Sequence, residues 1–236
     1  MEGSVVGAAG EEGGEAVRVA KHWRHGVSED EPTRSEALAK ARTLARAGRT
    51  EEAIREYKTV LRIDPADVNA RDELGMLYEK IGEHDQAVAQ LRAAVQEEPE
   101  NPELLIHLGA ALGAVGRFDD AETELRKASK LAPENLDARA NLGILFFRRG
   151  LYEQADSELR SVCLRDSAHG PAHFYRGEAL NRLGRYDEAI ESLERAIELQ
   201  PTNARAYYTL GILFDRKHLH DRAAAMFRRS RELTDR

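Results

Sequence analysis

Residues 68–101 read VNARDELGMLYEKIGEHDQAVAQLRAAVQEEPEN, and this stretch decides the fold. Leu74, Leu77 and Tyr78 recur at helical spacing, and Ala87, Leu91, Ala94 and Val95 do so again further on. Gly82 separates the two runs and Pro99 follows the second. A glycine adopts a left-handed conformation without steric penalty, so Gly82 ends the first helix. A proline has no N–H to continue a helix, so Pro99 stops the second. The stretch predicts two antiparallel helices of about 12–14 residues each.

Working outward, the same signals return every 34 residues. Ala53, Ala87, Ala121, Ala155, Ala189 and Ala223 form one column. Gly75, Gly109, Gly143, Gly177 and Gly211 form a second, with Ala41 in its first slot. Gly48, Gly82, Gly116, Gly150 and Gly184 form a third, and Pro65, Pro99, Pro133 and Pro201 a fourth. Alanine is common here, so one column alone would mean little; four in phase define a tandem array. The phase gives six units: 34–67, 68–101, 102–135, 136–169, 170–203 and 204–236. Counting positions 1 to 34 within a unit, the glycine at 8 and the alanine at 20 let the two helices approach closely.

This pattern resembles the tetratricopeptide repeat family, whose motif places a large residue at 4, Leu-Gly at 7 and 8, Tyr at 11, Ala at 20, Phe or Leu at 24, Ala at 27 and Pro at 32. The second unit matches through Leu74, Gly75, Tyr78, Ala87, Leu91, Ala94 and Pro99, and the third through Leu105, Leu108, Gly109, Ala121, Leu125, Ala128 and Pro133. The fifth matches through Gly177, Ala189, Leu193, Ala196 and Pro201. Departures are local: Lys40 and Ala41 replace Leu-Gly in unit one, Val162 and Ser167 replace Ala and Pro in unit four, and unit six carries His218, Ser230 and Asp235 at positions 15, 27 and 32. The resemblance implies an all-α, right-handed superhelical solenoid of antiparallel helix pairs. A single unit cannot bury its apolar face, so the core runs along the whole stack. At position 28 the last unit has Arg231 where earlier ones have Leu61, Val95, Ser129, Cys163 and Ile197, and Ala224 stands where unit five has Ile190. The more polar last helix reads either as a terminal cap or as a surface that packs on another chain.

The 236 residues carry 35 Lys and Arg against 42 Asp and Glu, a net charge of −7 that argues against nucleic acid as partner. No run of about 18 apolar residues exists, which argues against membrane insertion. The first 15 residues hold Glu2, Glu11, Glu12 and Glu15 and no basic n-region, and the apolar stretch from Val5 to Ala9 is short and broken by Gly7. With a lone cysteine, Cys163, a cytoplasmic location is expected. Residues 1–33 form an acidic segment, seven acidic residues against Arg18, Lys21 and Arg24, expected to be largely disordered. Within it Ala16, Val19, Ala20, Trp23 and Val27 make one helical stripe, so a short helix over 15–27 is expected. It would cover the open face of unit one, occupy the groove, or contact another copy.

No catalytic constellation emerges. His169 and His173 straddle a unit boundary at Gly170 and Pro171, His218 and His220 lie at a turn, and neither pair has the Glu-flanked spacing of a zinc hydrolase. No cysteine pair supports structural zinc, and Cys163 occupies a core position. No enzyme activity, cofactor or metal is expected. Function is then sought in the groove, which the resemblance assigns to the first helix of each unit at positions 2, 5, 6, 9, 12 and 13. In unit four these give Asn141, Ile144, Phe147 and Arg148. Unit five adds Phe174, Tyr175, Glu178, Asn181 and Arg182, and unit six Arg205, Tyr208, Ile212, Asp215 and Arg216. Aromatic rings supply rigid apolar area and guanidinium groups grip carboxylates, which suits capture of a peptide or partner helix. Arg46, Lys80, Arg148, Arg182 and Arg216 recur at position 13, where a cation also favours the end of a helix dipole. The carboxylate clamp of co-chaperone repeats is absent around Asn141, where Ile106, Ala110, Pro171 and Tyr175 replace its polar residues. The asparagine ladder of sugar-transferase repeats is likewise reduced to Asn141. The sequence therefore predicts an interaction scaffold for a protein or peptide partner. Two alternatives stay open: a self-assembling scaffold joined through its ends or the Trp23 segment, and a regulatory subunit of an enzyme complex.

Overall fold

The computed structural model describes residues 33–235, and all its regular elements are helices. The unit at 34–67 contains α1 (Arg34–Arg46) and α2 (Thr50–Ile63), and the next α3 (Val68–Lys80) and α4 (His84–Glu97). Then come α5 (Pro102–Ala114) with α6 (Phe118–Leu131), and α7 (Leu136–Arg149) with α8 (Tyr152–Arg165). The last four are α9 (Gly170–Arg182), α10 (Tyr186–Leu199), α11 (Ala204–Arg216) and α12 (His220–Thr234). Of the expected segment 1–33, residues 1–32 with the helix at 15–27 lie outside the described residues.

Each first helix begins on a side-chain cap at position 34 of the preceding unit. Asp67, Asn101, Asn135 and Asn203 accept from backbone N–H groups of the first turn, and His169 does so through Nδ1, 3.0 Å from the Ala172 nitrogen. Thr33 caps α1 and forms a reciprocal box with Glu36. Second helices have no such cap. They start two residues after the position-15 glycine, and acidic side chains such as Asp119 and Asp120 sit in their first turns, where the positive end of the dipole favours them.

The turn inside each unit is the same. Gly150 sits at φ 81°, and the following Leu151 N–H reaches back to the Phe146 carbonyl at 2.9 Å. This closure satisfies carbonyls that the helix end leaves open. Unit six repeats it with His218 at φ 58°. Proline is less decisive than its column suggests. Second helices end at position 30 in units one to five, including unit four, where Ser167 replaces proline. There the Asp166 carboxylate accepts from the Ala168 N–H at 2.9 Å, an Asx turn that redirects the chain.

Close packing inside a unit rests on the position-8 glycine. A Cβ on Gly143 would lie 2.5 Å from Cγ of Leu159, the position-24 leucine, which is fully buried. Burying such a side chain contributes about 1.5–3 kcal/mol. Buried side chains from Ala37 to Ala179 form one continuous core, and a second cluster continues from Phe174 to Ala223. On α12 only Ala223 and Ser230 are buried, and the Ser230 hydroxyl donates to the Ala204 carbonyl at 2.8 Å. Ala224 and Arg231 face solvent.

The first helices α3, α5, α7, α9 and α11 touch one another in succession, whereas second helices pack mainly on first helices. First helices are thus crowded on the inside of the curve. That crowding makes their shared face the concave one.

Candidate functional site

At two junctions position 9 of a first helix meets position 6 of the next, 31 residues on. Arg42 donates through Nε to Glu73 at 2.9 Å in units one and two. Glu178 accepts from the Thr209 hydroxyl at 2.6 Å in units five and six. In units four and five the corresponding pair is Ile144 and Tyr175, which is apolar.

Units one to three pair several of their polar groups internally, while Arg46 and Lys80 are exposed with no carboxylate partner among the described residues. Glu73 also accepts from the buried Tyr57 hydroxyl, and burial and that carboxylate push the Tyr57 phenol well above its ordinary range. Asp72 holds the His107 ring at 2.7 Å, and this carboxylate raises the His107 pKa. Glu79 meets His84 at 2.9 Å.

Units four to six differ. Arg148 and Arg182 are exposed, and among the described residues neither has a carboxylate partner. Arg205 and Arg216 are exposed too; Arg205 lies over the Phe174 ring at 5.5 Å and Arg216 over Tyr186 at 5.4 Å. Phe147 meets Tyr152 at 5.7 Å and Tyr175 at 5.6 Å, and Tyr175 meets Phe174 at 5.0 Å, a run of tilted and edge-on rings. Tyr208 is 53% exposed. Asn141, Ile144, Phe147, Tyr175, Asn181 and Ile212 are half-buried.

Two of the expected groove residues do not offer a free side chain. Phe174 is buried under Arg205, and Glu178 is buried, accepting from Thr209 and pairing with Arg205 at 3.3 Å. They form the floor that holds Arg205 and Thr209. Asp215 is exposed and lies 3.2 Å from His220.

Two recesses flank the Asn141–Ile144 ridge. The smaller, about 70 Å³, is lined by Glu79, Gly109, Ala110, Gly113, Asn141, Ile144, Leu145 and Arg148. It exists because unit three has Ala110, Gly113 and Ala114 where unit four has Ile144, Phe147 and Arg148. The larger, about 530 Å³, is open and polar at its edge, with Asp137, His169, Pro171 and Gln200 in its wall. The Asn141–Arg148 face thus combines a small hollow, walled in part by Glu79, with a cation that has no carboxylate partner among the described residues.

Nothing in this arrangement resembles a catalytic or metal centre. Among the described residues no group of three His, Cys, Asp or Glu side chains is placed to hold a metal ion. His169 is used as a helix cap, and burial lowers the pKa of His173. Burial pushes the half-buried Cys163 thiol up to about 11, which leaves it a poor nucleophile at neutral pH. No described helix is long and apolar enough to cross a membrane.

Comparison with known families agrees with the repeat geometry. A tetratricopeptide repeat model matches residues 44–112, 82–134 and 112–168, more than half of the chain, and a second TPR repeat model matches 177–217. The chain belongs to the tetratricopeptide repeat family, and that fold implies a protein partner. Comparison with curated proteins returned no match. Among solved structures, a tetratricopeptide repeat protein from Parabacteroides merdae superposes with a TM-score of 0.74 at 19% identity, over 85% of this chain and 78% of that one. MamA from Desulfovibrio magneticus gives 0.58 at 25% identity, over 71% and 95%. YrrB, described as a TPR protein with an unusual peptide-binding site, gives 0.55 at 23% identity, over 77% and 93%.

Proposed function

We propose that this chain is a non-enzymatic interaction scaffold that binds an extended peptide or a partner helix on the concave face of units four to six. The observation that carries this reading is the exposed pair Arg148 and Arg182, without carboxylate partners among the described residues, together with the half-exposed rings of Phe147 and Tyr175. Rigid rings and free guanidinium groups are the residue types that dominate binding energy at interfaces. Asn141, Ile144, Asn181, Ile212, Tyr208 and Arg216 extend the surface, while Phe174 and Glu178 support it from beneath. Arg205 lies between these roles, half committed to Glu178 and half open. YrrB lends only its shared fold and the precedent of a peptide-binding site in it.

The test is capture of partners from the native host by the full chain, beside a variant with Arg148, Arg182 and Arg216 all changed to Glu. Circular dichroism first checks that the variant keeps the wild-type helix content. A partner held by the wild type and lost by the variant is the expected result. Identical partners on both would assign the position-13 row to helix-end electrostatics alone.

A further inference from the structure

We infer that the junction between units four and five is an acid-released hinge: protonation at His169 and His173 frees the first turn of α9 and lets units one to four swing relative to units five and six. This goes beyond the groove reading and does not depend on it. The two histidines stand at position 34 of unit four and position 4 of unit five, and at the other four junctions neither position holds a histidine. His169 caps α9, with Nδ1 accepting from the Ala172 N–H at 3.0 Å. The neutral ring therefore carries its proton on Nε2, which faces the Asp137 carboxylate at 3.6 Å. A doubly protonated ring has no acceptor, so acid exchanges the cap for an ion pair with α7. His173 lies one turn further on. Both its ring nitrogens are buried, and among the described residues neither has a hydrogen-bond partner.

Burial lowers the His173 pKa; the nearby Ser167 carbonyl opposes this, and the positive charges of Arg195, Arg176 and His169 reinforce it. α9 packs on α7, α8, α10 and α11, and the charged groups these helices bring to the junction are engaged elsewhere. On α7, Asp137 faces His169. At the end of α8, Asp166 accepts from the Ala168 N–H, and within α8 Asp156 is held by Arg176 and Arg185. On α10, Arg195 pairs with Glu198 and donates to the Ser167 carbonyl at 3.3 Å. On α11, Arg205 pairs with Glu178 on the groove side. None of them hydrogen-bonds the His173 ring, so a proton placed there stays uncompensated. The packing is also tight, since a Cβ on Gly170 would lie 2.9 Å from the Gln200 side chain at the end of α10. The apolar core divides at this same helix. Ala172 and Ala179 belong to the cluster that runs back to Ala37, and Phe174 and Leu180 to the one that runs on to Ala223. α9 is thus the seam between two packed bodies, with the proton-sensitive pair at its start. The closed junction favours neutral His173, so closure is complete above about pH 6.5 and is lost as pH falls from there toward the lowered folded value.

The experiment is hydrogen–deuterium exchange of the full chain at about pH 7.5 and about pH 5.5, read as protection factors, beside small-angle scattering at both. The control is the double variant His169→Asn, His173→Leu, which gives this junction the residue types of Asn101 and Leu105 two units earlier. Circular dichroism verifies its fold. In the wild type, protection over residues 167–182 should fall by up to about tenfold at the lower pH, because the opened junction binds a proton at the ordinary histidine value of about 6.5. Scattering should change shape at constant mass, and the double variant should show neither response. Protection that falls equally in all units, or nowhere, would overturn the hinge, as would a double variant that responds like the wild type. Local loss of protection with unchanged scattering would reduce the effect to fraying of one turn and overturn it too. The wild-type profile alone locates the response, so the test stands even if the double variant does not fold.

Discussion

In units one and two, Arg42, Glu73 and Tyr57 close on one another; in units four and five, the same rows hold Ile144 and Tyr175, and among the described residues Arg148 and Arg182 have no carboxylate partner, as Arg46 and Lys80 have none in units one and two. Both halves are built from the same hairpin, and positions 9 and 6 of successive first helices are the rows compared. What separates them is the chemistry placed on that contact. A charge opposite a charge satisfies the row internally and turns it into structure. An isoleucine opposite a tyrosine leaves that row apolar. The repeat geometry sets where side chains point, and the pairing across units sets which of them remain available.

The comparison can be broken from the stability side first. Asp156 is buried on the second-helix side of the unit four to five junction, where it accepts from Arg176 at 2.8 Å and Arg185 at 2.7 Å. Asp156→Ala strands Arg176, itself largely buried, and should cost about 3 kcal/mol in urea unfolding. Its distance from the groove face predicts little change in partner binding by the folded fraction. A loss of binding larger than the loss of folded protein would mean that the junction shapes the open surface.

A smaller effect is expected in the paired half. Glu73→Ala leaves the buried Tyr57 hydroxyl without its acceptor, at a cost of about 1–3 kcal/mol. A second change, Tyr57→Phe, should recover most of that cost, because the orphaned hydroxyl is then gone. Failure of this rescue would show that the Arg42–Glu73 contact carries the stability instead. Neither variant should alter binding.

The smallest effect is a pH dependence. The Asp72 carboxylate raises the His107 pKa in the folded chain above the ordinary histidine value of about 6.5. The folded state therefore binds this proton more tightly than the unfolded one. The extra stability is complete below about pH 6.5 and disappears as pH rises through the raised folded value. Comparing urea midpoints of wild type and Asp72→Asn at low and high pH isolates it, and the two should converge as the pH rises. A constant gap would assign the contact no protonation linkage.

Much of this organisation is legible in the sequence. The 34-residue columns of glycine and alanine locate every helix pair, because backbone conformation at Gly150 and close approach at Gly143 each admit little else. The caps were also written there: Asp67, Asn101, Asn135 and Asn203 share position 34, a column of helix-capping residues that goes unread when attention stays on glycine and proline. Proline proves dispensable, since Asp166 turns the chain in unit four without it. The groove was harder to read. The family pattern assigns positions 5 and 9 to the concave face, yet Phe174 and Glu178 at those positions are buried. Their exposure depends on Arg205 and Thr209 in the next unit, a relation that single-unit patterns omit. An acid at position 9 followed by a hydroxyl 31 residues later is the signal that would have found it.

The central claim is that the open half of the concave face, and not the paired half, receives the partner. Tyr208 is 53% exposed in unit six and Met76 is 45% exposed in unit two, so each tolerates replacement by a photoreactive benzoylphenylalanine. The measurement is the yield of partner adduct from the full chain carrying the probe at one site or the other. The account predicts a strong adduct from position 208 and little from position 76. Equal yields, or a stronger adduct from position 76, would contradict it.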